Sequence, residues 1–327
     1  MTTRHRSAQV GVMVSLMGLL VAGCTTGSPP PSGPTPHAPE PTANADVTFD
    51  LRLPDHPDTA LYILAGPAPL SYDVYRVIPE TGQVERLTWN PPGFGISHVS
   101  ATDDQVVLAD ARTGQDELVT WEADRRTALP MAAGSRGFAP GLHPDGRLLH
   151  LQLVAHAEPP HADRTFEVVV RAHPTAPARV VYQSTTHLSA TWGPDGRIAV
   201  AVLPGREQPD GPSRLLLVDP ETTDTTPLRG YPDWSSIYLV GHPDSPYLTV
   251  VNPRQAATGF LHTGTGEWAP MPPGWVGLCP DPSGHSVLVA RDQTLGLVSP
   301  TDPDQVHVVG QIHAGSVGLC SWIRQTA

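Results

Sequence analysis

The chain has 327 residues, 39% of them hydrophobic and 16% charged, so it can bury a sizeable core and is not of the disordered class. All 20 basic residues are arginine, which excludes a P-loop, a Schiff base and a lysine nucleophile. The formal net charge of −12, with no basic cluster, argues against a nucleic-acid partner because such binding depends on neutralising phosphates.

Residues 1–23 have the pattern of an export signal: two arginines near the N-terminus precede the apolar run Val10–Ala22, which is too short to span a bilayer. The run ends in Leu20-Val21-Ala22-Gly23-Cys24, which resembles the lipobox of bacterial lipoproteins. That resemblance implies cleavage before Cys24, lipidation of its thiol and anchoring at the outer face of the cell membrane. The alternative is an ordinary secretory signal in which the cysteine is incidental.

Residues 24–45 follow as a second segment, with seven prolines among Gly, Ser, Thr and Ala and almost nothing apolar. Such a composition cannot bury enough surface to fold, so we expect a disordered, partly polyproline tether. At ~3.1 Å per residue it would reach about 60 Å. It is expected to hold the remaining residues, 46–327, away from the membrane.

Residues 46–327 contain no amphipathic segment of helical length, and instead show short β-branched runs bounded by turn residues, which is the pattern of strands. One phrase recurs among them: a Pro-Asp-Gly turn between two apolar stretches, as in His143–Arg147 and Gly193–Arg197. Looser copies occur near residues 99–104, 241–245 and 278–284. The copies are about 40 to 50 residues apart, a spacing typical of propeller blades.

A second phrase, strand, turn, strand, follows the first, as in Tyr72–Thr88 and again in Leu215–Leu228. The first phrase would supply strands A and B of a blade, and the second strands C and D. The segment Trp192–Val200 resembles the W-S-P-D-G-x-x-I-A-F phrase of TolB-like β-propeller repeats, and Val84–Thr88 resembles the blade ending that accompanies it. The resemblance implies a propeller and little about chemistry.

We therefore predict an all-β fold, a six-bladed β-propeller of four-stranded antiparallel blades. Inner strands are expected to begin near Ile96, Gly141, Leu188, Ile237 and Val276. The sixth would be Val317–Ile323, which has no hairpin behind it, so its outer strands must come from residues 59–65, 72–77 and 84–89. The alternative innermost strand for that blade is Val47–Leu53.

Candidates for chemistry are few. The residues His156, Glu158, His161 and Asp163 could serve as metal ligands, but their spacing matches no compact metal motif and two prolines between them indicate a solvated loop. The sequence has no G-x-S-x-G elbow and no H-E-x-x-H helix. We expect no metal and no cofactor.

Aromatic residues cluster in the predicted D-to-A connections, which would surround one mouth of the central channel. Loops on a rigid scaffold often carry function, and aromatic side chains are enriched at binding hot spots. The alternative is that these residues pack between blades. They are Phe94, Phe138, Tyr231, Trp234 and Trp275.

The tetrapeptide Val-Gly-Leu-Cys occurs twice, ending at Cys279 and at Cys320. The two copies fall at the same level of neighbouring inner strands, and an oxidising compartment favours pairing of two thiols. The alternative is that both are small core residues, because equivalent positions do not guarantee that their Cα atoms come within about 7 Å.

Together these features predict an exported, lipid-anchored binding module for a protein or glycan of the bacterial cell envelope, more probable as a binding protein than as an enzyme. Contact with the membrane would be through the lipid only, and the head would be monomeric. The first alternative is an envelope hydrolase or lactonase with a metal in the channel. The second is a structural or regulatory lipoprotein.

Overall fold

The computed structural model describes residues 47–53, 55–68, 71–90, 95–110, 117–122, 125–155, 164–205 and 207–325. The export signal, the tether and Cys24 lie outside this part of the chain, as do Phe94 and the residues His156, Glu158, His161 and Asp163. Within the described residues, no helix is long and apolar enough to cross a membrane.

The described strands form six antiparallel sheets arranged as the blades of a propeller, which confirms the predicted fold. Named I to VI in ring order, and each given from its innermost strand outward, the blades are blade I, β25 (Ser316–Arg324), β2 (Thr59–Gly66), β3 (Asp73–Ile78) and β4 (Gln83–Arg86); blade II, β5 (Ile96–Ala101), β6 (Val106–Asp110), β7 (Glu117–Glu122) and β8 (Arg125–Ala128); blade III, β9 (Ser135–Leu142), β10 (Leu148–Ala155), β11 (Arg164–Arg171) and β12 (Arg179–Ser184); blade IV, β13 (Leu188–Trp192), β14 (Ile198–Val202), β15 (Arg214–Val218) and β16 (Thr225–Pro227); blade V, β17 (Tyr238–Gly241), β18 (Tyr247–Asn252), β19 (Ala257–His262) and β20 (Trp268–Pro270); and blade VI, β21 (Val276–Pro280), β22 (Val287–Arg291), β23 (Thr294–Ser299), β24 (Asp302–His313) and β1 (Thr48–Leu51).

The ring closes as predicted through the C-terminal strand. β25 pairs with β2, with Trp322 opposite Leu61, and so becomes the innermost strand of blade I. The alternative closure through Val47–Leu53 is wrong. β1 instead pairs with the outer edge of β24, with Phe49 opposite Ile312, and gives blade VI a fifth strand. Both ends of the described chain are therefore held by sheet pairing, at opposite edges of neighbouring blades.

The repeated Pro-Asp-Gly turns join strands A and B. In the first copy the His143 N–H donates to the Arg147 carbonyl oxygen at 2.8 Å, and Gly146 has the positive φ of 90° that such a turn requires. The inner strand before this turn is longer than predicted, because β9 begins at Ser135 rather than near Gly141. A β-bulge at Ala139 and Pro140, opposite His150, lets pairing with β10 continue past the irregularity.

Hydrophobic cores lie between adjacent blades. One joins blades III and IV through residues such as Leu151, Val168 and Trp192, and similar cores fill the other gaps. The blades approach closely at Gly241, where an added Cβ would lie 2.3 Å from the Trp192 carbonyl oxygen. A larger residue at this position would force blades IV and V apart.

Every junction between neighbouring inner strands is also bridged by one specific bond. Five of the six bridges are hydrogen bonds from a backbone or side-chain donor, and the sixth is a disulfide. In ring order from blade I they are Ala101 N–H to Ser321 Oγ (3.0 Å), Leu142 N–H to Ser100 Oγ (2.8 Å), Trp192 Nε1–H to Gly141 O (2.8 Å), Leu239 N–H to Ser189 Oγ (3.1 Å), Tyr238 O–H to Gly277 O (2.8 Å) and Cys279 to Cys320. The wall of the central channel is thus cross-linked all the way round.

Candidate ligand-binding channel

A cavity of about 830 Å³ occupies the centre of the ring and is lined by residues of all six inner strands. Its wall is mainly apolar, with residues such as Val99, Leu239 and Leu319. Cavities of roughly 300–1,000 Å³ with mostly apolar walls and a few polar groups are typical of small-molecule sites. The channel is therefore the candidate functional site.

The inner strands all run in the same direction, so the channel has two chemically different mouths. At one mouth, here called the A–B mouth, the strands end in the repeated turns. It is lined by Asp103, Asp104 and Arg324, together with prolines of the turns such as Pro144 and Pro243. The opposite mouth, here called the D–A mouth, is where the inner strands begin.

At the D–A mouth the cavity extends sideways between blades III and IV. This side chamber, here called the alcove, is bounded by apolar side chains from three successive strands of blade III and by one histidine that precedes β13. Its lining residues are Phe138, Leu151, Leu153, Phe166 and His187. The rings of Phe166 and His187 lie 4.3 Å apart, centroid to centroid, and close the chamber on one side.

Arg136 stands beside the alcove. In the sheet it lies directly opposite Leu153, which in turn lies opposite Phe166, so the guanidinium-bearing residue and the apolar wall form one row across β9, β10 and β11. Arg136 is exposed and lines the cavity. Among the cavity-lining residues that the structure describes, it is the one arginine, lysine or carboxylate residue at the D–A mouth, since Asp103, Asp104 and Arg324 all lie at the other end.

Inside the channel, His98 of β5 is a neutral imidazole at physiological pH. Its Nδ1 lies 3.2 Å from Ser97 Oγ, and burial lowers the pKa of His98 to about 4. Burial also lowers the pKa of His242 at the A–B mouth, with Asp244 opposing the shift. The described interior of the channel therefore presents polar groups that are uncharged at neutral pH.

The predicted aromatic residues do not form a common surface. Tyr231 and Trp234 pack against the core between blades IV and V; the Leu215 N–H donates to Tyr231 Oη at 3.0 Å, and the ring of Trp234 meets that of Trp268 edge on. Trp275 is only 3% exposed and lies under Arg291, at 4.6 Å from the guanidinium carbon to the ring centroid. These positions favour the alternative, that the three residues are interblade packing.

Phe138 differs from the other members of this set, because it lies within β9 rather than in a connection. The bulge beside it places it opposite Leu151, in the alcove wall. It is the one described member of the set that lines the cavity.

An exposed aromatic residue that the sequence did not single out is Trp89, in the connection between blades I and II. It is 55% exposed, whereas its neighbours Thr88 and Asn90 are buried and both donate to one carboxylate oxygen of Asp73, at 3.0 and 2.8 Å. With both neighbours fixed inward, the indole between them is held outward, where the guanidinium carbon of Arg86 lies 5.7 Å from its ring centroid. The alternation of polar and aromatic residues was the available signal.

The two cysteines of the repeated tetrapeptide form a disulfide in the structure, with their Cα atoms 5.3 Å apart. Bulges in both strand pairs bring the sulfurs together, since β21 and β25 each carry a register irregularity next to the cysteine. For metals, the residues within the described ranges contain no group of three or more His, Cys, Asp or Glu side chains arranged to hold an ion. The expected absence of a metal stays a prediction, because His156, Glu158, His161 and Asp163 are outside those ranges.

The class of protein that this geometry defines is the six-bladed β-propeller with an open apolar channel. No protein-family model and no curated protein matches the sequence. Solved structures do match the fold: TolB from Acinetobacter baumannii, at 15% identity and a TM-score of 0.61, over 82% of this chain and 67% of that one. A chain of a nidogen/laminin complex matches at 10% identity and a TM-score of 0.55, over 82% and 100%. An oligogalacturonate lyase in complex with manganese matches at 13% identity and a TM-score of 0.52, over 82% and 85%.

At these identities the likeness concerns the fold alone. The similar propellers include a chain from a protein–protein complex and an enzyme with a metal, so the fold is shared by binding modules and catalysts. Function has to be argued from the channel of this chain.

Proposed function

We propose that the protein is an exported, lipid-anchored propeller that binds a component of the bacterial cell envelope through its channel. The observation that carries this proposal is the cavity of about 830 Å³, whose mainly apolar wall is built by every inner strand. Binding needs a preformed concave site with a few placed polar groups, and the channel supplies both.

The rigidity of the wall supports binding further. Each inner strand is bonded to the next, including the disulfide between blades VI and I, so the cavity is preorganised rather than assembled around a ligand. A preorganised site loses less conformational entropy when it binds.

Anchoring at the envelope rests on the N-terminal sequence. Lipidation of Cys24 would place the head outside the cell membrane on the tether of residues 24–45. A Cys24→Ala variant should leave the membrane fraction or remain uncleaved; unchanged partitioning into detergent would contradict the anchor.

Binding through the channel is tested by blocking it. Ala190 of β13 lines the cavity, so Ala190→Trp should fill the lumen and abolish capture of an envelope protein or glycan from membrane extract by the tethered protein. Ala128→Trp, on the exposed end of the outermost strand of blade II, is the matched control and should capture as the parent does. Equal capture by both variants, with unchanged circular dichroism, would place the site outside the channel.

The enzyme alternative, a hydrolase or lactonase with a channel metal, makes a different prediction. It requires about one metal ion per chain in the purified protein, which elemental mass spectrometry measures directly. A stoichiometric ion that is lost when His156 and His161 are both replaced by alanine would favour catalysis over binding.

A further inference from the structure

The alcove is unlike the rest of the channel wall in its backbone. Ala139 of β9 has a φ of 48°, in the left-handed region that non-glycine residues rarely occupy. Among residues that the structure describes in the inner strands, it is the one residue with positive φ. Such strain persists only where the surroundings enforce it, and it often marks ligand sites.

The strain has a direct structural effect. Ala139 and Pro140 together stand opposite the single residue His150, and this bulge allows both Arg136 and Phe138 to share the face of blade III that looks toward blade IV. A bulge re-aims side chains in this way. The cation and the apolar wall are thereby brought to one place.

The wall then sets the character of a ligand. Phe138, Leu151, Leu153 and Phe166 offer two aromatic rings and two aliphatic side chains, and Leu151 and Phe166 are almost wholly buried. Such a surface favours an apolar body over a sugar or a peptide backbone, because polar groups would lose their bonds to water without replacement.

The charges set its orientation. No carboxylate among the described residues pairs with Arg136, whereas Asp103 and Asp104 line the A–B mouth. An anionic group would be attracted to the D–A mouth and repelled from the other. Arginine is also the side chain best suited to carboxylate and phosphate oxygens, which it meets with two parallel N–H donors.

We propose that the alcove binds an amphipathic molecule whose apolar chain lies against Phe138, Leu153 and Phe166 and whose single anionic group, a carboxylate or a phosphate, meets Arg136. This inference rests on the proposed function, because it names the ligand class of the same channel. The six-residue inner strand β5 spans roughly 20 Å, so the lumen has length for an extended alkyl chain below the alcove.

The test uses the full chain with Cys24→Ala, purified without detergent, and three twelve-carbon probes below their micellar concentrations: dodecanoate, dodecyl phosphate and dodecanol. Isothermal titration should show that at least one anion binds about tenfold or more tightly than the alcohol. Preference for dodecanoate would indicate a free acid as the source of the anionic group, and preference for the phosphate a lipid headgroup; both outcomes support the proposal.

Variants separate the charge from the wall. Arg136→Gln should reduce the affinity for the anions to about that for dodecanol and leave dodecanol unchanged. Arg214→Gln, at an exposed arginine that does not line the cavity, is the matched control and should change neither. Phe138→Ala should weaken all three probes, and Phe138→Leu should restore much of the loss if the alanine variant folds poorly.

Equal binding of anion and alcohol, or unchanged anion binding in Arg136→Gln, would overturn the inference, and so would no binding of any probe. These outcomes are distinct from failure of the proposed function. Loss of envelope capture in Ala190→Trp together with no probe binding refutes the ligand class alone, whereas probe binding without any envelope capture refutes the proposed function alone.

Discussion

The disulfide between Cys279 and Cys320 should contribute a large share of the stability of the ring. It joins β21 of blade VI to β25, the strand that closes blade I, across a sequence separation of 41 residues. Reducing this bond releases the closing strand from its neighbour without removing any atom from the core. The perturbation is therefore treatment of the folded protein with a strong reductant.

The magnitude follows from the entropy of the unfolded chain. A cross-link that closes a loop of this length removes loop entropy worth about 4 kcal/mol at 25 °C. For a domain of this size, 1 kcal/mol corresponds to about 2–4 °C in Tm, so reduction should lower Tm by roughly 8 °C or more. Both cysteines are buried, so little of the effect should come from solvent contact of the thiols.

Thermal unfolding with and without reductant measures the effect, and the Cys279→Ala/Cys320→Ala variant provides the control, since its Tm should not respond to reductant. Hydrogen exchange adds a local readout: amides of β25 should exchange faster after reduction, and those of β14 should not. A shift in Tm below about 2 °C, or two alkylatable thiols in the unfolded, unreduced protein, would refute the reasoning.

Two further outcomes are expected. Trp275→Ala should lower the free energy of unfolding by about 3–5 kcal/mol because it empties a buried site between blades, whereas Trp89→Ala, at an exposed site, should change it by less than about 0.5 kcal/mol; urea unfolding of the pair tests this, and equal losses would contradict the assigned packing. Acid should destabilise the protein through His150, which is fully buried: burial, helped by the nearby Arg171, lowers its pKa to about 3, so the folded state stays neutral while the unfolded state takes up a proton as pH falls below its ordinary 6.5. Stability should then fall by up to about 1.4 kcal/mol per pH unit between about pH 6 and pH 3, and His150→Leu should flatten that slope in urea titrations; parallel pH profiles of the variant and the parent would show that His150 is not the cause.

The fold was predictable because its signals are local. Each Pro-Asp-Gly turn requires only a few neighbouring residues, and the spacing of its copies counts the blades. The closing strand was also predictable, since Val317–Ile323 reads as an inner strand with no hairpin behind it. β1 was misplaced because Thr48–Leu51 is a four-residue strand with one fully buried residue, and only the exposed edge of β24 determines where it pairs.

The site was much less predictable. Whether a loop aromatic such as Trp275 is buried depends on blades that are distant in sequence, and so does the exposure of Trp89. The alcove arises from one bulge at Ala139, a residue whose identity gives no warning of a left-handed backbone. The disulfide stood between these cases, since the repeated tetrapeptide placed both cysteines at one level but not their Cα separation.

The pairing of β25 with β2 has a consequence for how the chain reaches its final form. Leu61 must wait for Trp322, so blade I cannot be completed until nearly the whole polypeptide has been made, and a very long loop has to close before that pairing is rewarded. Until then β2 presents an unpaired edge with eight buried-type residues, a template for pairing with the wrong chain. Loss of the last dozen residues should therefore leave a protein that aggregates, even though five blades are intact in sequence. A peptide of residues 316–324 supplied in trans would be expected to rescue it.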